Sequence, residues 1–299
     1  MHIMHTHYHQ WERFIPVIEI SQQESIYRKS KVDTMSHFHV EDKHPRAASI
    51  RTREIMTQGV ESNVVAMAGL IAHGRGEAFD YIIGEKTTPP AETATTTAAA
   101  MILLAEHPII SVNGNVAALC PGDFVALSDV SGAKLEVNLY HRLPGREEAI
   151  KKVLRDAGAS EVLGVGEAAS ARIDEIFSDR RRVDPEGIFM ADVVFVPLED
   201  GDRTEGLVKM GKKVITVDLN PMSRTAQYAD VTIVDNITRA MPMLVSEVKR
   251  LKGKSKVELS EIVSSYDNSE VLSGILTIMK NRLGQLADKG VFLKLNADQ

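Results

Sequence analysis

Three short apolar runs in the second half of this chain end in acids or amides. Val193-Val194-Phe195-Val196 leads into Pro197-Leu198-Glu199-Asp200-Gly201-Asp202-Arg203-Thr204-Glu205. Val214-Ile215-Thr216-Val217 leads into Asp218-Leu219-Asn220-Pro221, and Val231-Thr232-Ile233-Val234 into Asp235-Asn236. Short apolar runs bounded by turn signals read as buried strands, and ligands of open α/β sheets bind at the carboxyl ends of such strands. The cluster of Asp200, Asp202 and Glu205 beside Arg203 suits Mg²⁺, which takes a few carboxylates and fills its shell from phosphate oxygens. It equally suits a substrate ammonium, or a solvated loop that caps a helix through Thr204 and Glu205. Asp218 follows its strand directly, where an acid meets ribose hydroxyls. Ser223-Arg224-Thr225 suits a phosphate, and Asn236-Ile237 offers an amide and backbone to an adenine edge. Together these groups describe a nucleotide site.

Two further clusters could contribute. His73-Gly74-Arg75-Gly76-Glu77 combines glycines, which let backbone amides approach an anion, with a guanidinium that binds phosphate in a fork. It lacks both the GxxxxGK[ST] and the GxGxxG pattern, and it also reads as an ordinary βα turn. Asn113-Gly114-Asn115 follows an apolar run and offers two amides to a carboxylate or ribose, or simply makes a turn. His73 and His141 are the groups that titrate near neutrality.

The elements that must position these residues alternate. Helices are expected over 47–62, 91–106, 117–130 (interrupted near Pro121) and 146–157, and strands at 108–112, 134–140 and 161–164 as well as the three runs above. Alternation from residue 64 to about 250 predicts βαβ units and a parallel sheet. After the basic stretch 249–256 come two expected helices, 259–266 and 269–287, in which Leu272, Ile275, Met279 and Leu283 share a face that packs on the body or on a partner subunit. The domain reading is an extension over 1–43, a ligand-binding α/β domain over 44–252, and a helical extension over 253–299.

The chain has 299 residues, 43% hydrophobic and 25% charged, with a net charge of -6, which predicts an ordinary globular core and argues against nucleic acid or an anionic membrane as partner. No apolar run approaches the roughly 20 residues of a membrane span. The single cysteine, Cys120, excludes an internal disulfide and fits a reducing cytoplasm; between Leu119 and Pro121 it reads as a small core filler. The leader, with alternating His5, His7 and His9, reads as a disordered or non-native extension, with a metal-binding tract as the other reading. Met35 is the expected true start.

Longer collinear words carry a resemblance to a known family. They are His44-Pro45-Arg46 with Arg53-Glu54, the stretch Gly69 to Tyr81 (GLIAHGRGEAFDY), Ser111 to Leu119 (SVNGNVAAL), Glu136-Val137-Asn138-Leu139, Ala191 to Glu205, and Val217 to Asn236. Over residues 44–250 the chain resembles the archaeal phosphopantothenate synthetases, the 4-phosphopantoate–β-alanine ligases. The resemblance implies a Rossmann-like, homodimeric, cytoplasmic enzyme of coenzyme A synthesis that uses ATP with Mg²⁺ and joins (R)-4-phosphopantoate to β-alanine, releasing AMP and diphosphate. By matching position it assigns Arg53, Arg75, Asp218, Leu219, Asn220, Arg224, Thr225, Asn236 and Ile237 to ATP. We assign His73, Asn113, Asn115, Arg142 and Asp200 to the other substrates, and Arg203, Asp202 and His141 to the reacting centre, with no dedicated protein metal ligands. A phosphoryl transferase on the same anion sites would instead release ADP. A nucleotide-binding regulator would turn nothing over.

Overall fold

The computed structural model describes residues 41, 43–44, 46–198 and 200–289. Chain contacts separate Met1–Ala47 from Ala48–Gln299. The expected leader and the Met35 start fall outside the described residues, save 41 and 43. The secondary structure of the described residues opens with helices: α1 (Ala47–Glu61), α2 (Met67–Ile83) and α3 (Pro89–Leu104). This corrects the expected alternation from residue 64. The glycine cluster His73-Gly74-Arg75-Gly76 is no βα turn, because α2 runs through it without a break. Each interior glycine costs a helix about 1 kcal/mol relative to alanine, so tertiary contacts must hold α2. One of them is a close approach: a Cβ on Gly69 would lie 2.3 Å from Asn115 Oδ1, so the Asn115 side chain would have to shift.

The remaining elements alternate as expected. They are β1 (Pro108–Val112), α4 (Gly114–Leu119), α5 (Pro121–Ser131), β2 (Lys134–Val137), α6 (Arg146–Asp156), a small antiparallel pair β3 (Ala171–Arg172) and β4 (Arg182–Val183), β5 (Val193–Phe195), α7 (Gly201–Lys209), β6 (Lys213–Val217), α8 (Arg224–Tyr228), β7 (Val231–Ile233) and α9 (Ile237–Leu251). Pro121 splits the expected 117–130 helix in two, since its ring cannot continue α4 but starts α5 well. The expected strand 161–164 shrinks to one bridge between Leu163 and Glu136, because Gly164 turns the chain at φ 76°.

The five long strands are all parallel, in the order β2-β1-β5-β6-β7. The chain winds from β1 to β2, then returns to the other side of β1 and continues outward through β5, β6 and β7. Side chains alternate across the strands. Ile110, Val112, Phe195, Ile215, Val217 and Ile233 face the larger core with α3, α5 and α9, while Ile109, Val194, Val196 and Val214 face a second core closed by residues 173–191 and Leu207. Cys120 is buried in the larger core, as expected.

The tail helices α10 (Lys256–Ser264) and α11 (Asn268–Lys289) form as expected. Leu272, Ile275 and Met279 pack on Ile83, Leu219 and Val234, each such burial being worth about 1.5–3 kcal/mol. Leu283 stays half exposed. Among the described residues no helix is long and apolar enough to cross a membrane.

Candidate active site

The two windings of the sheet diverge between β1 and β5, and the crevice outside that point is where an open α/β sheet binds ligands. Asn113, directly after β1, clasps it. Its Nδ2 donates to Pro197 O at 3.0 Å and Leu198 O at 3.3 Å beyond β5, while its Oδ1 accepts from Asn115 N and Val116 N to cap α4. Leu198, held on both sides, sits in the left-handed region at φ 52°, a strained state for a branched side chain that costs on the order of 1–3 kcal/mol.

Helix α2 lies against the carboxyl ends of the strands and closes a cleft of about 260 Å³. Its floor comes from the strand ends, with Leu198 after β5, Asp218, Leu219, Asn220 and Ser223 after β6, and Asn236 and Ile237 after β7. Its roof is one face of α2, with His73, Arg75, Gly76, Glu77 and Phe79, joined by Asn115 and Leu119 from α4. The cleft thus unites His73, Arg75, Asn115, Asp218, Leu219, Asn220, Asn236 and Ile237 from the expected site. Ala72, Gly76, Glu77, Phe79, Leu119, Leu198 and Ser223 complete its lining. Apolar members such as Leu119 and Leu198 carry no signal of chemistry in the sequence, whereas Glu77 and Ser223 stand inside the words that had drawn attention.

The cleft carries a charge gradient. Asp218 accepts from Ser223 Oγ and from Asn220 N. Burial raises its pKa, against those hydrogen bonds and the nearby charge of Arg75. Arg75 is exposed and, among the described residues, makes no ion pair. His73 is lowered from its ordinary range by burial, with the Arg53 charge adding to it and Glu77 opposing. Glu77 is pushed up by burial, but hydrogen bonds from Arg53, Ser49 and Tyr81 and the Arg53 charge prevail and hold it at about 2.

The other expected residues lie outside the cleft lining. Arg53, on α1, pairs with Glu77 at 2.8 Å. Arg224, the first residue of α8, donates to Asp202 at 2.6 Å and Glu205 at 2.7 Å, and Thr225 beside it is buried. Asp200 caps α7 by accepting from Arg203 N and pairs with Arg180 at 3.3 Å. Arg142 donates to Glu147 and to Arg182 O in a separate open hollow of about 290 Å³ that also includes Gly145 and Gly166. His141 is exposed, its ring edge-on to Tyr140 at 4.7 Å.

Arg203 is fully buried on the sheet face that packs the second core, where its Nη2 donates to Ser111 Oγ at 3.0 Å. The same face buries Glu136, which accepts from Asp184 N and Ile188 N. Burial raises the Glu136 carboxyl to about 7, against those two hydrogen bonds and the Arg203 charge. A second buried network, Asp80, Asp235 and Arg239, stands behind Asn236. Neither network was expected. Asp80 and Asp235 stand beside singled-out residues, but nothing in the sequence signals their shared partner 159 residues from Asp80.

Residues 90–282 match the family described as phosphopantothenate/pantothenate synthetase. A 4-phosphopantoate--beta-alanine ligase of Thermococcus kodakarensis is 52% identical over 250 residues, covering 83% of this chain and 95% of the relative. Proteins of the same name from Thermococcus onnurineus and Methanosarcina mazei are 50% and 49% identical, over 85% and 82% of this chain and 97% and 95% of their own.

Proposed function

Because this chain belongs to the phosphopantothenate/pantothenate synthetase family, we propose that it is a 4-phosphopantoate–β-alanine ligase that forms AMP and diphosphate through an acyl-adenylate. The observation that carries the nucleotide part is the pairing of an exposed arginine that makes no ion pair among the described residues, Arg75, with a half-buried acid, Asp218, in one cleft at strand ends. That combination suits a polyphosphate at one end and ribose hydroxyls at the other. Asn220 lies on the ribose side, and Leu219, Asn236 and Ile237 frame the base.

In the first step a carboxylate oxygen of phosphopantoate attacks the α-phosphorus of ATP, and the bond to the β-phosphate oxygen breaks with its electron pair leaving on diphosphate. Two anions must meet, so cations aimed at the reacting phosphate lower the barrier. Among the described residues Arg75 makes no ion pair that it would have to give up for this. Arg53 and Arg224 do: to reach the nucleotide they must share it with Glu77, or with Asp202 and Glu205. Ser223 caps α8 by accepting from Ala226 N, and Thr225 lies in the helix's first turn, whose free amides can donate to phosphate.

Mg²⁺ at such a site would be carried largely by phosphate oxygens with one or two carboxylates. Asp202, about two-thirds exposed and tied through Arg224 to the start of α8, fits such a partial ligand. Bound there, the ion would neutralise phosphate charge.

In the second step the amine of β-alanine attacks the acyl carbon and AMP leaves. The amine must first lose a proton. His73 is the group in the cleft suited to accept it, because burial lowers its pKa and so favours the neutral imidazole. His141, Arg142, Asn115 and Asp200 remain the residues we propose around phosphopantoate and β-alanine, with Arg203 beneath them and Asn113 acting through its brace across the crevice. The same reading makes the enzyme a cytoplasmic homodimer. In support, Met67 and Ile71, one turn apart on α2, are 69% and 68% exposed apolar surface that a second copy can cover.

The test is product analysis with ATP, Mg²⁺, 4-phosphopantoate and β-alanine, separating AMP from ADP. AMP and phosphopantothenate that appear only when all substrates are present are expected. ADP would replace the reading with a phosphoryl transferase.

A further inference from the structure

We propose that Asp80, Asp235 and Arg239, none of which lines the cleft, form an ionic clamp that positions α2, and thereby Arg75, for the nucleotide; the inference rests on the nucleotide reading of that cleft. Helix α2 is pinned at two points. Near its start, Asn115 Nδ2 on α4, just after β1, donates to Gly69 O at 2.9 Å. Near its end, Asp80 meets the groups that follow β7. From Gly69 to Asp80 an α-helix rises about 16 Å, and the three strand spacings from β1 through β5 and β6 to β7 total about 14 Å. The helix therefore spans the carboxyl edge from one pin to the other, and its cleft-facing residues 72–79 fall between them.

The second pin is built around one guanidinium. Arg239 Nη2 and Nη1 donate to Asp80 Oδ1 and Oδ2 at 2.6 and 3.1 Å, and its Nε and Nη2 donate to Asp235 Oδ1 at 2.9 and 2.6 Å. Asp80 and Asp235 are buried, with side-chain exposures of 8% and 0%. Each is held further: Asp80 accepts from Asn236 Nδ2 at 2.9 Å, and Asp235 from Thr87 Oγ1 and Asn236 N. Asn236 itself lines the cleft. The clamp thus fixes the floor after β7 and the roof at Asp80 in one hydrogen-bonded unit. Two buried carboxylates on one arginine leave a net negative group, an arrangement that serves geometry better than stability. Geometry is what α2 lacks on its own, since glycines at 69, 74 and 76 weaken it as an independent helix.

Release of this pin leaves α2 folded, because Ile83 still packs in the cluster with Leu272, Ile275 and Met279, but frees the angle at which it presents Arg75. Arg239→Met and Asp80→Asn are the test variants; Asp80→Asn keeps shape and removes one charge, which guards against loss of fold. Both are expected to weaken Mg-ATP binding, measured by calorimetry without the other substrates, by about tenfold or more, the size of one charged hydrogen bond. In turnover the KM for ATP should rise while kcat at saturating ATP stays within about threefold. Arg239→Lys should recover part of the affinity. Because the clamp acts through Arg75, the Arg75→Met and Arg239→Met effects should be strongly non-additive. Wild-type affinity in both variants, or additive effects that simply follow melting temperature, would overturn the clamp while leaving the nucleotide site standing. A wild-type protein that binds no ATP would overturn both.

Discussion

Glu136 offers a prediction whose magnitude follows from its surroundings. Its side chain has no exposed surface and accepts from Asp184 N at 3.1 Å and Ile188 N at 2.6 Å. Burial outweighs these bonds and the Arg203 charge and moves the carboxyl from 4.5 to about 7. Between those values the unfolded chain has released a proton that the folded protein keeps, so the unfolded state binds fewer protons and stability falls as pH rises. The contribution is full below pH 4.5 and is lost through about pH 7. At ~1.4 kcal/mol per pH unit for one proton, the window is worth ~3 kcal/mol. Glu136→Gln removes the titration but not the volume. Its amide nitrogen cannot accept, so one of the two backbone donors loses its partner, at about 1–3 kcal/mol. The variant should therefore be less stable than wild type at pH 5, and the two should converge or cross by pH 8. Urea unfolding of both proteins across this range, with unchanged m-values, reads the difference directly. Parallel stability curves would refute the reasoning, because they would mean that Glu136 carries the same charge folded and unfolded.

Three further outcomes follow from the site. Arg75→Met removes an exposed charge with no ion-pair partner among the described residues, so stability should stay within about 0.5 kcal/mol while the KM for ATP rises about 10- to 100-fold, as for a lost charged hydrogen bond; an unchanged KM would take Arg75 out of the site. Gly114→Ala would place a Cβ 2.1 Å from Val64 O and 2.6 Å from Arg146 Nη2. A backbone carbonyl cannot swing aside, so a loss of about 1–3 kcal/mol or more is expected in denaturant titrations, and a wild-type midpoint would show that the α1–α2 turn yields. Asp202→Asn, at a side chain 64% exposed, should melt like wild type yet abolish AMP formation; near-wild-type turnover would remove Asp202 from the mechanism.

The strands were legible because a parallel strand buried on both faces reads as a nearly continuous apolar run, as Val193-Val194-Phe195 does, and as Val214 to Val217 does with Thr216 alone polar. Their polar ends were legible because a buried strand rarely ends in charge without a use for it. Helix α2 was not legible. Its glycines read as a loop, and what holds them in a helix lies far away in sequence, in the hydrogen bond from Asn115 to Gly69 O and the pairing of Asp80 with Arg239. The small strands and turns between 166 and 191 share this cause, since they are held by the carboxylate of Glu136, 48 and 52 residues before its two donors, and show no periodicity of their own.

A deeper ambiguity concerns what each polar residue is for. Asn113 and Arg75 look alike in the sequence, as polar side chains next to glycine in apolar surroundings. Yet both donors and both acceptor sites of the Asn113 amide are taken by Pro197, Leu198, Asn115 and Val116, which makes it a brace across the crevice, whereas Arg75 keeps its guanidinium clear of any ion pair among the described residues. Arg203 is the sharper case. Its place after β5 suggests an anion contact, but it is buried against Ser111, 92 residues earlier. Residue type and spacing thus locate the polar edge of the sheet. Whether a group there serves the fold or a ligand depends on how many of its hydrogen bonds the protein already satisfies, and those partners come from strands and helices that only the folded chain brings together.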